Sequence, residues 1–221
     1  MTFLPLRTFA VGALLALGLS AAHAQTNALD SLEAFVKTVK SGRAVFTQTV
    51  TSPPREGQTA RSKTSSGSFA FQRPSRFRFD YTKPFEQAIV ADGQTLWMHD
   101  VDLNQVTARK QADVLGSTPA ALVAAAPDLA ALRADFELQA APDQDGLQWV
   151  QATPKAKDGQ LASVRVGLKP GDKGPELAAL EIADNFGQRS VLRFSQVEVN
   201  PSLPASTFQF KPPAGADVLR Q

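Results

Sequence analysis

The chain of 221 residues has no cysteine. Disulfide staples, thiol nucleophiles and thiolate metal sites are therefore excluded, as is a lipid carried on a cysteine of the chain itself. Histidine is nearly missing too: there are two, and His23 falls in an N-terminal leader pattern. The remaining one, His99, stands between Met98 and Asp100 with no G-x-S-x-G around any serine. Catalysis has little material, and a structural role is the simpler reading of His99. Asp143-Gln144-Asp145-Gly146 has the start of a calcium loop but not its further ligands or closing Glu, so a hairpin turn is the simpler reading. No metal or other cofactor is expected. Net charge is only +2, without a basic stripe to collect phosphates, which argues against nucleic acid as a partner.

Long apolar runs are absent as well. The run Phe9 to Leu19 is too short to span a bilayer, for which about 20 residues are needed, so no stable membrane insertion is expected. Arg7 before it and Ala22-His23-Ala24 after it complete the pattern of a secretory signal. Residues 1–24 are expected to be a signal peptide cleaved after Ala24, leaving residues 25–221 as one exported domain. Losing Arg7 takes the basic count from 23 to 22, against 21 acidic residues. Without disulfides, such a domain must be stabilised by its core.

Aromatic residues are scarce apart from phenylalanine: 14 Phe stand against one Tyr and two Trp. Phe has no polar handle, so this surplus suits a cavity for something that cannot hydrogen-bond. The richest stretch, Gly67 to Asp100, reads as a meander. Strand alternation puts Phe69, Phe71 and the cation of Arg73 on one side. Beyond Pro74, Phe77, Phe79 and Tyr81 share one side of the next strand, opposite Arg76, Arg78 and Asp80. Gln87–Ala91 and Gln94–Met98 flank Asp92-Gly93, a pair suited to a type I′ hairpin turn. Leu96 and Trp97 face opposite ways, and the pattern does not say which lies inside.

Either side of the meander, Asn27–Lys40 has helical spacing at Leu29, Leu32, Val36 and Val39, with Asp30 and Glu33 spaced as a capping box and Gly42 as a stop. Strands are expected at Arg43–Thr51, with Phe46 and Val50 on one face, and at Asn104–Arg109, with a polar hairpin loop over Arg55–Ser66. Ser117-Thr118-Pro119 signals a helix start. An Ala-rich run follows, including Leu122, and Asp128 caps a second short helix through Arg133. Composition leaves open whether these helices form a lid or an ordinary crossover. Five further strands, Phe136–Ala140, Leu147–Thr153, Leu161–Leu168, Glu176–Asp184 and Gln188–Val199, are separated by turn chemistry. The fold class is thus mainly β with some α, as one strongly curved antiparallel sheet or barrel.

The string FAFQRPSRFRFDYTKP followed by ADGQTLWMHDVDLNQVT resembles the LolA family of periplasmic outer-membrane lipoprotein carriers. The resemblance runs from about Ala28 to the C-terminus and takes in TPAALVA (Thr118–Ala124), ATPKAKDGQL (Ala152–Leu161) and FQFKPPAG (Phe208–Gly215). It implies a single antiparallel sheet forming an unclosed barrel, with short helices as a lid over an apolar cavity. It also implies a monomeric, non-enzymatic chaperone in the periplasm. Acylated lipoproteins would be the cargo, the inner-membrane ABC complex LolCDE the donor and the outer-membrane receptor LolB the acceptor. The absence of cysteine separates the chain from that lipid-anchored receptor.

By the same resemblance, Arg73 latches the lid and Phe77 aids hand-over; Phe46, Phe69, Phe71, Phe79, Trp97 and Leu122 complete the expected acyl-chain site. From the residues alone, Arg73 has two readings. A buried guanidinium needs acceptors, which helix C-terminal carbonyls supply, or the side chain snorkels to solvent. Phe77 reads equally well as core. The alternative function is a periplasmic lipid-binding sensor or interaction module on the same half-barrel. An esterase is a weaker third reading.

Overall fold

The computed structural model describes residues 20–54, 57–114, 126–157 and 159–221, with side chains from residue 28 onward. Twelve strands make one sheet: β1 Ser41–Ser52, β2 Arg61–Gln72, β3 Arg76–Lys83, β4 Gln87–Ala91, β5 Thr95–Asp100, β6 Gln105–Lys110, β7 Phe136–Gln144, β8 Leu147–Pro154, β9 Leu161–Lys169, β10 Glu176–Asp184, β11 Arg189–Val199 and β12 Asp217–Arg220. Their order is β12-β6-β5-β4-β3-β2-β1-β11-β10-β9-β8-β7. β7 and β12 are edges that do not meet, so the barrel is unclosed. Hairpin connections explain most of this order, because sequence-adjacent strands with short polar turns pair antiparallel. The long polar loop between β1 and β2 is shorter than its composition implied, since β2 already starts at Arg61 and pairs with β1 from Ser52↔Arg61 to Ser41↔Gln72.

One pairing departs from the all-antiparallel expectation. β12 runs parallel to β6, from Asp217↔Gln105 to Arg220↔Ala108. The chain leaves β11 and crosses the outer face of β3–β5, where a 3-10 turn at Ala205–Phe208 buries Phe208. Thr207 O accepts from Arg78 Nη1 at 3.4 Å, and Gly215 O accepts from Asn104 Nδ2 at 2.9 Å. A strand delivered from that side reaches the edge travelling in the direction of β6.

Helix α1 (Ser20–Thr38) lies across the inner face over β7–β9. It buries Ala28, Leu32, Phe35 and Val36, with Val39 buried just past its end, while Asp30, Glu33 and Lys37 stay exposed, the stripe that a period of 3.6 produces. Because α1 begins at Ser20, Asp30 and Glu33 sit within the helix and form no capping box. Nor is Gly42 its stop. Asn200 secures the junction, its Oδ1 accepting from Lys40 N (2.7 Å) and Ser41 N (3.3 Å) and its Nδ2 donating to Thr38 O (3.0 Å). Gly42 belongs to β1, where the ring of Phe71 occupies the space that a Cβ would need.

Helix α2 is a single turn at Gln111–Val114. The expected helix start at Ser117-Thr118-Pro119, and Leu122 with it, lie outside the described residues. Helix α3 (Leu129–Asp135) is capped as expected, Asp128 Oδ1 accepting from Ala131 N at 2.8 Å. The Asp92-Gly93 turn is not type I′, which needs positive φ at both central residues. Only Gly93 has it, at 104°, and the connection spans Asp92-Gly93-Gln94. Asp92 Oδ1 instead accepts from Gln94 N and Thr95 N, each at 2.8 Å. Burial opposes ionisation of Asp92, but these two N–H groups and the Trp97 indole outweigh it and hold its carboxyl below the usual range.

Candidate functional site

Strand register assembles the site. Across β1, β2 and β3 the inner-face rows are Gly42↔Phe71↔Phe77 and Ala44↔Phe69↔Phe79, and Phe46 pairs with Phe194 of β11. The period of two that placed Phe69, Phe71, Phe77 and Phe79 on one side thus becomes a contiguous aromatic floor. Phe69 and Phe79 stack at 4.4 Å between ring centroids. Phe46 meets Phe79 edge-on at 5.5 Å, and Phe69 lies 5.4 Å from Phe194. From above, α1 lowers Phe35 to 6.1 Å from Phe71. Phe46, Phe69, Phe71, Phe77 and Phe79 are all buried in one cluster with α1, Ala126, Leu132 of α3, and Leu192 and Phe194 of β11.

Two of these contributors escaped the sequence reading. Phe35 follows Leu32 by three and precedes Val39 by four, which is helix-stripe spacing. Phe194 continues the alternation Ser190, Leu192, Phe194 on β11. Both signals were legible in the periodicity.

Trp97 corrects an expectation. It belongs to the row Val90↔Trp97↔Ala108, on the outer face, where its ring lies 5.5 Å from Phe210 and its Nε1 donates to Asp92 Oδ2 at 3.2 Å. Leu96 takes the inner position, buried with Phe77 and Ala91. An indole that must place its N–H is accommodated at the covered outer face, whereas the inner face accepts only groups with nothing to satisfy.

His99 shares the outer face. It is buried, 5.8 Å from Phe210, and its Nε2 lacks a hydrogen-bond partner among the described residues.

Arg73 points inward, half-buried against the rings. Its backbone N–H donates to Lys40 O at 2.8 Å, which fixes the end of β2 beside the end of α1. Its Nε donates to Val39 O (2.8 Å) and its Nη1 to Ala126 O (2.5 Å). One guanidinium thereby ties the C-terminal end of α1, where helix carbonyls are left over and carry partial negative charge, to the segment entering α3. The same group lies 5.1 Å over the Phe35 ring and 5.5 Å over the Phe71 ring. Burial pushes its pKa down to about 10, so it remains a cation near neutrality.

The space enclosed here is small. Beside Phe35, Val39, Gly42, Phe69, Phe71 and Phe194 the cavity measures about 20 Å³. That volume admits one water-sized probe at most. The rings themselves, among the described residues, fill this space. Among the described residues no group of three His, Cys, Asp or Glu side chains could hold a metal, and no helix is long and apolar enough to cross a membrane.

The family model of the outer membrane lipoprotein carrier protein LolA matches residues 37–211. An outer-membrane lipoprotein carrier protein of Albidiferax ferrireducens is 72% identical over 193 residues, covering 87% of this chain and 91% of its own. A protein of the same name from Methylibium petroleiphilum is 57% identical over 208 residues, covering 94% of this chain and 97% of its own. Among solved structures, a DUF1329 family protein from Desulfovibrio piger superposes with a TM-score of 0.50, covering 85% of this chain and 96% of its own at 10% identity, a likeness of fold alone.

Proposed function

The chain belongs to the LolA family of outer membrane lipoprotein carrier proteins, and from that premise we propose how it carries its cargo. It is a periplasmic lipoprotein carrier that shields acyl chains against the inner face of the sheet. The observation that carries this reading is an aromatic face filled by its own rings and covered by α1 and the segment entering α3, which the half-buried guanidinium of Arg73 joins. The residues proposed to meet the acyl chains are Phe46, Phe69, Phe71, Phe77 and Phe79, joined by Phe35 and Phe194. Arg73 is the proposed latch. The proposed donor is the inner-membrane complex LolCDE and the proposed acceptor LolB, with signal cleavage after Ala24 releasing residues 25–221 as a monomer.

Magnitudes explain both the need for a carrier and its restraint. Each CH₂ buried is worth about 0.8 kcal/mol, so multiple acyl chains do not cross water unaided at a useful rate. A face matched perfectly to those chains would never release them. Closing over its own rings, the protein regains ring packing and the Arg73 bonds when cargo leaves, and that recovery lowers net affinity. Binding energy is set by the difference between two packed states rather than by the whole acyl area. Addition of the purified mature protein to energised inner-membrane vesicles loaded with lipoprotein tests this. Soluble one-to-one complexes that donate lipoprotein to receptor-bearing membranes are expected, and lipoprotein that stays in the vesicles contradicts the proposal.

A further inference from the structure

On β3, β1 and β11 the inner-face series pass from apolar to polar side chains along a diagonal, with Tyr81 level with Phe46, Gln48 level with Leu192 and Ser190 level with Val50. On β3 the series Phe77, Phe79 closes with Tyr81; on β1 the series Ala44, Phe46 gives way to Gln48; on β11 the series Phe194, Leu192 gives way to Ser190. These three side chains are hydrogen-bonded to one another. Tyr81 Oη donates to Gln48 Oε1 at 2.9 Å and Gln48 Nε2 donates to Ser190 Oγ at 2.8 Å. Between them β2 contributes Gly67, paired with Tyr81, where the β3 backbone at Asp80 and Tyr81 approaches too closely for any Cβ. Beyond this row lies an open groove of about 630 Å³, whose lining includes Gln48, Tyr81, Ser65, Lys63 and Phe85.

Tyr81 belongs to both sides of the boundary. Its ring packs edge-on against Phe46 at 4.9 Å and stacks with Phe79 at 6.4 Å, while its hydroxyl faces Gln48. Burial pushes that hydroxyl up to about 12, so it is a neutral donor throughout the physiological range. A tyrosine oxygen accepts as well as donates, a primary amide has two N–H groups and an oxygen with two lone pairs, and a serine hydroxyl does both. The row therefore has hydrogen-bonding capacity beyond its two internal bonds. It carries no charge.

We infer that Tyr81, Gln48 and Ser190 form a subsite for the carbonyl groups through which acyl chains are joined to the cargo. The inference rests on the carrier reading above and extends it. An acyl chain meets the rest of its molecule at an ester or amide carbonyl, an uncharged acceptor that loses water when the chain is buried. The donors that the row's internal bonds leave over, the second N–H of Gln48 and the Ser190 hydroxyl, offer that acceptor a replacement at the end of the aromatic floor. From Gln48 to Gly42, beside the latched end, β1 runs six residues, roughly 20 Å at about 3.3 Å per residue. That is the length of an extended long-chain fatty acyl group. The subsite would then set how deep the cargo sits, with the peptide part leaving through the groove.

The test compares two synthetic lipopeptides with the same sequence and chain lengths, one carrying diacylglyceryl esters on its N-terminal cysteine and the other the matching dialkyl ethers. A hydrogen bond to the carbonyl is expected to make the wild-type protein prefer the ester about 3- to 10-fold. Gln48→Leu and Ser190→Ala, which remove the donors that the internal bonds leave over, should each lower that ratio toward one, with the ether's Kd measured alongside. Equal wild-type affinity for both lipopeptides overturns the subsite but leaves the carrier reading standing, and so does a preference that survives both substitutions. Failure of wild type to bind either lipopeptide overturns the subsite together with the carrier reading beneath it. Should Gln48→Leu fail to fold, Ser190→Ala alone decides the outcome.

Discussion

Replacing Arg73 by leucine takes away the bonds to Val39 O and Ala126 O and the cation above the Phe35 and Phe71 rings. Two hydrogen bonds from a charged donor contribute together about 3–6 kcal/mol. Against this stands the desolvation that draws the guanidinium from 12.5 to about 10, a cost of about 3 kcal/mol. The bias from these two bonds, net of that cost, is about 0–3 kcal/mol, about a hundredfold at its upper end in the ratio of closed to open. Apparent affinity scales with the open fraction, so Arg73→Leu should bind an environment-sensitive fatty-acid analogue more tightly, by up to that factor. Release should slow, because closing no longer returns the free energy that helps to expel the chains. Lysine, with one ammonium in place of a planar fork, should fall between the two. The assay is transfer of lipoprotein from a preformed complex to receptor-bearing membranes, with the analogue's Kd alongside. A variant with wild-type Kd and wild-type transfer rate refutes the reasoning.

Tyr81 is the sole tyrosine, so the phenolate absorbance of the native protein titrates it alone. The midpoint should lie at about 12 rather than the ordinary 10. Since the unfolded chain ionises first, this group's contribution to stability should be lost as pH rises from 10 to 12; a native midpoint near 10 would contradict its burial. Gly67→Ala sets a methyl group against the carbonyl oxygen of Asp80 on β3. It should lower stability by about 1–3 kcal/mol, seen as a reduced urea midpoint at unchanged slope, and an unchanged midpoint would show that the strands can separate at no cost. Phe71→Glu puts a carboxylate among the rings and should weaken binding of the fatty-acid analogue by at least about tenfold. Phe186→Glu, on an exposed turn, should leave binding as it is, and equal loss in the two variants would argue against a specific acyl face.

Much of the fold was legible because its signals were local. Strict alternation located β3, β4 and β8 to β10 almost to the residue, and the aspartate before Leu129 located α3. The aromatic floor was legible for the same reason: once Phe69 and Phe71 share a face, antiparallel pairing brings Phe77 and Phe79 beside them. What escaped depends on contacts between distant segments. Trp97 and Leu96 have equal claims to the inside until Phe210, more than a hundred residues later, covers one face. The end of α1 is fixed by Asn200 and not by the nearby Gly42. β12 follows a segment broken by Pro201, Pro204, Pro212 and Pro213, which offers no strand pattern to extend. The polar row was hidden differently. Gln48, Tyr81 and Ser190 are unremarkable singly, and only the pairing of β3, β2, β1 and β11 brings them into hydrogen-bonding reach along one diagonal.

The function proposed for this protein is the movement of lipoproteins between membranes. Depletion in its native host, followed by separation of inner and outer membranes and detection of an outer-membrane lipoprotein, measures that directly. The account predicts that the lipoprotein accumulates in the inner membrane as the protein disappears and returns to the outer membrane when wild-type protein is restored. Lipoproteins that continue to reach the outer membrane at the undepleted level would contradict it.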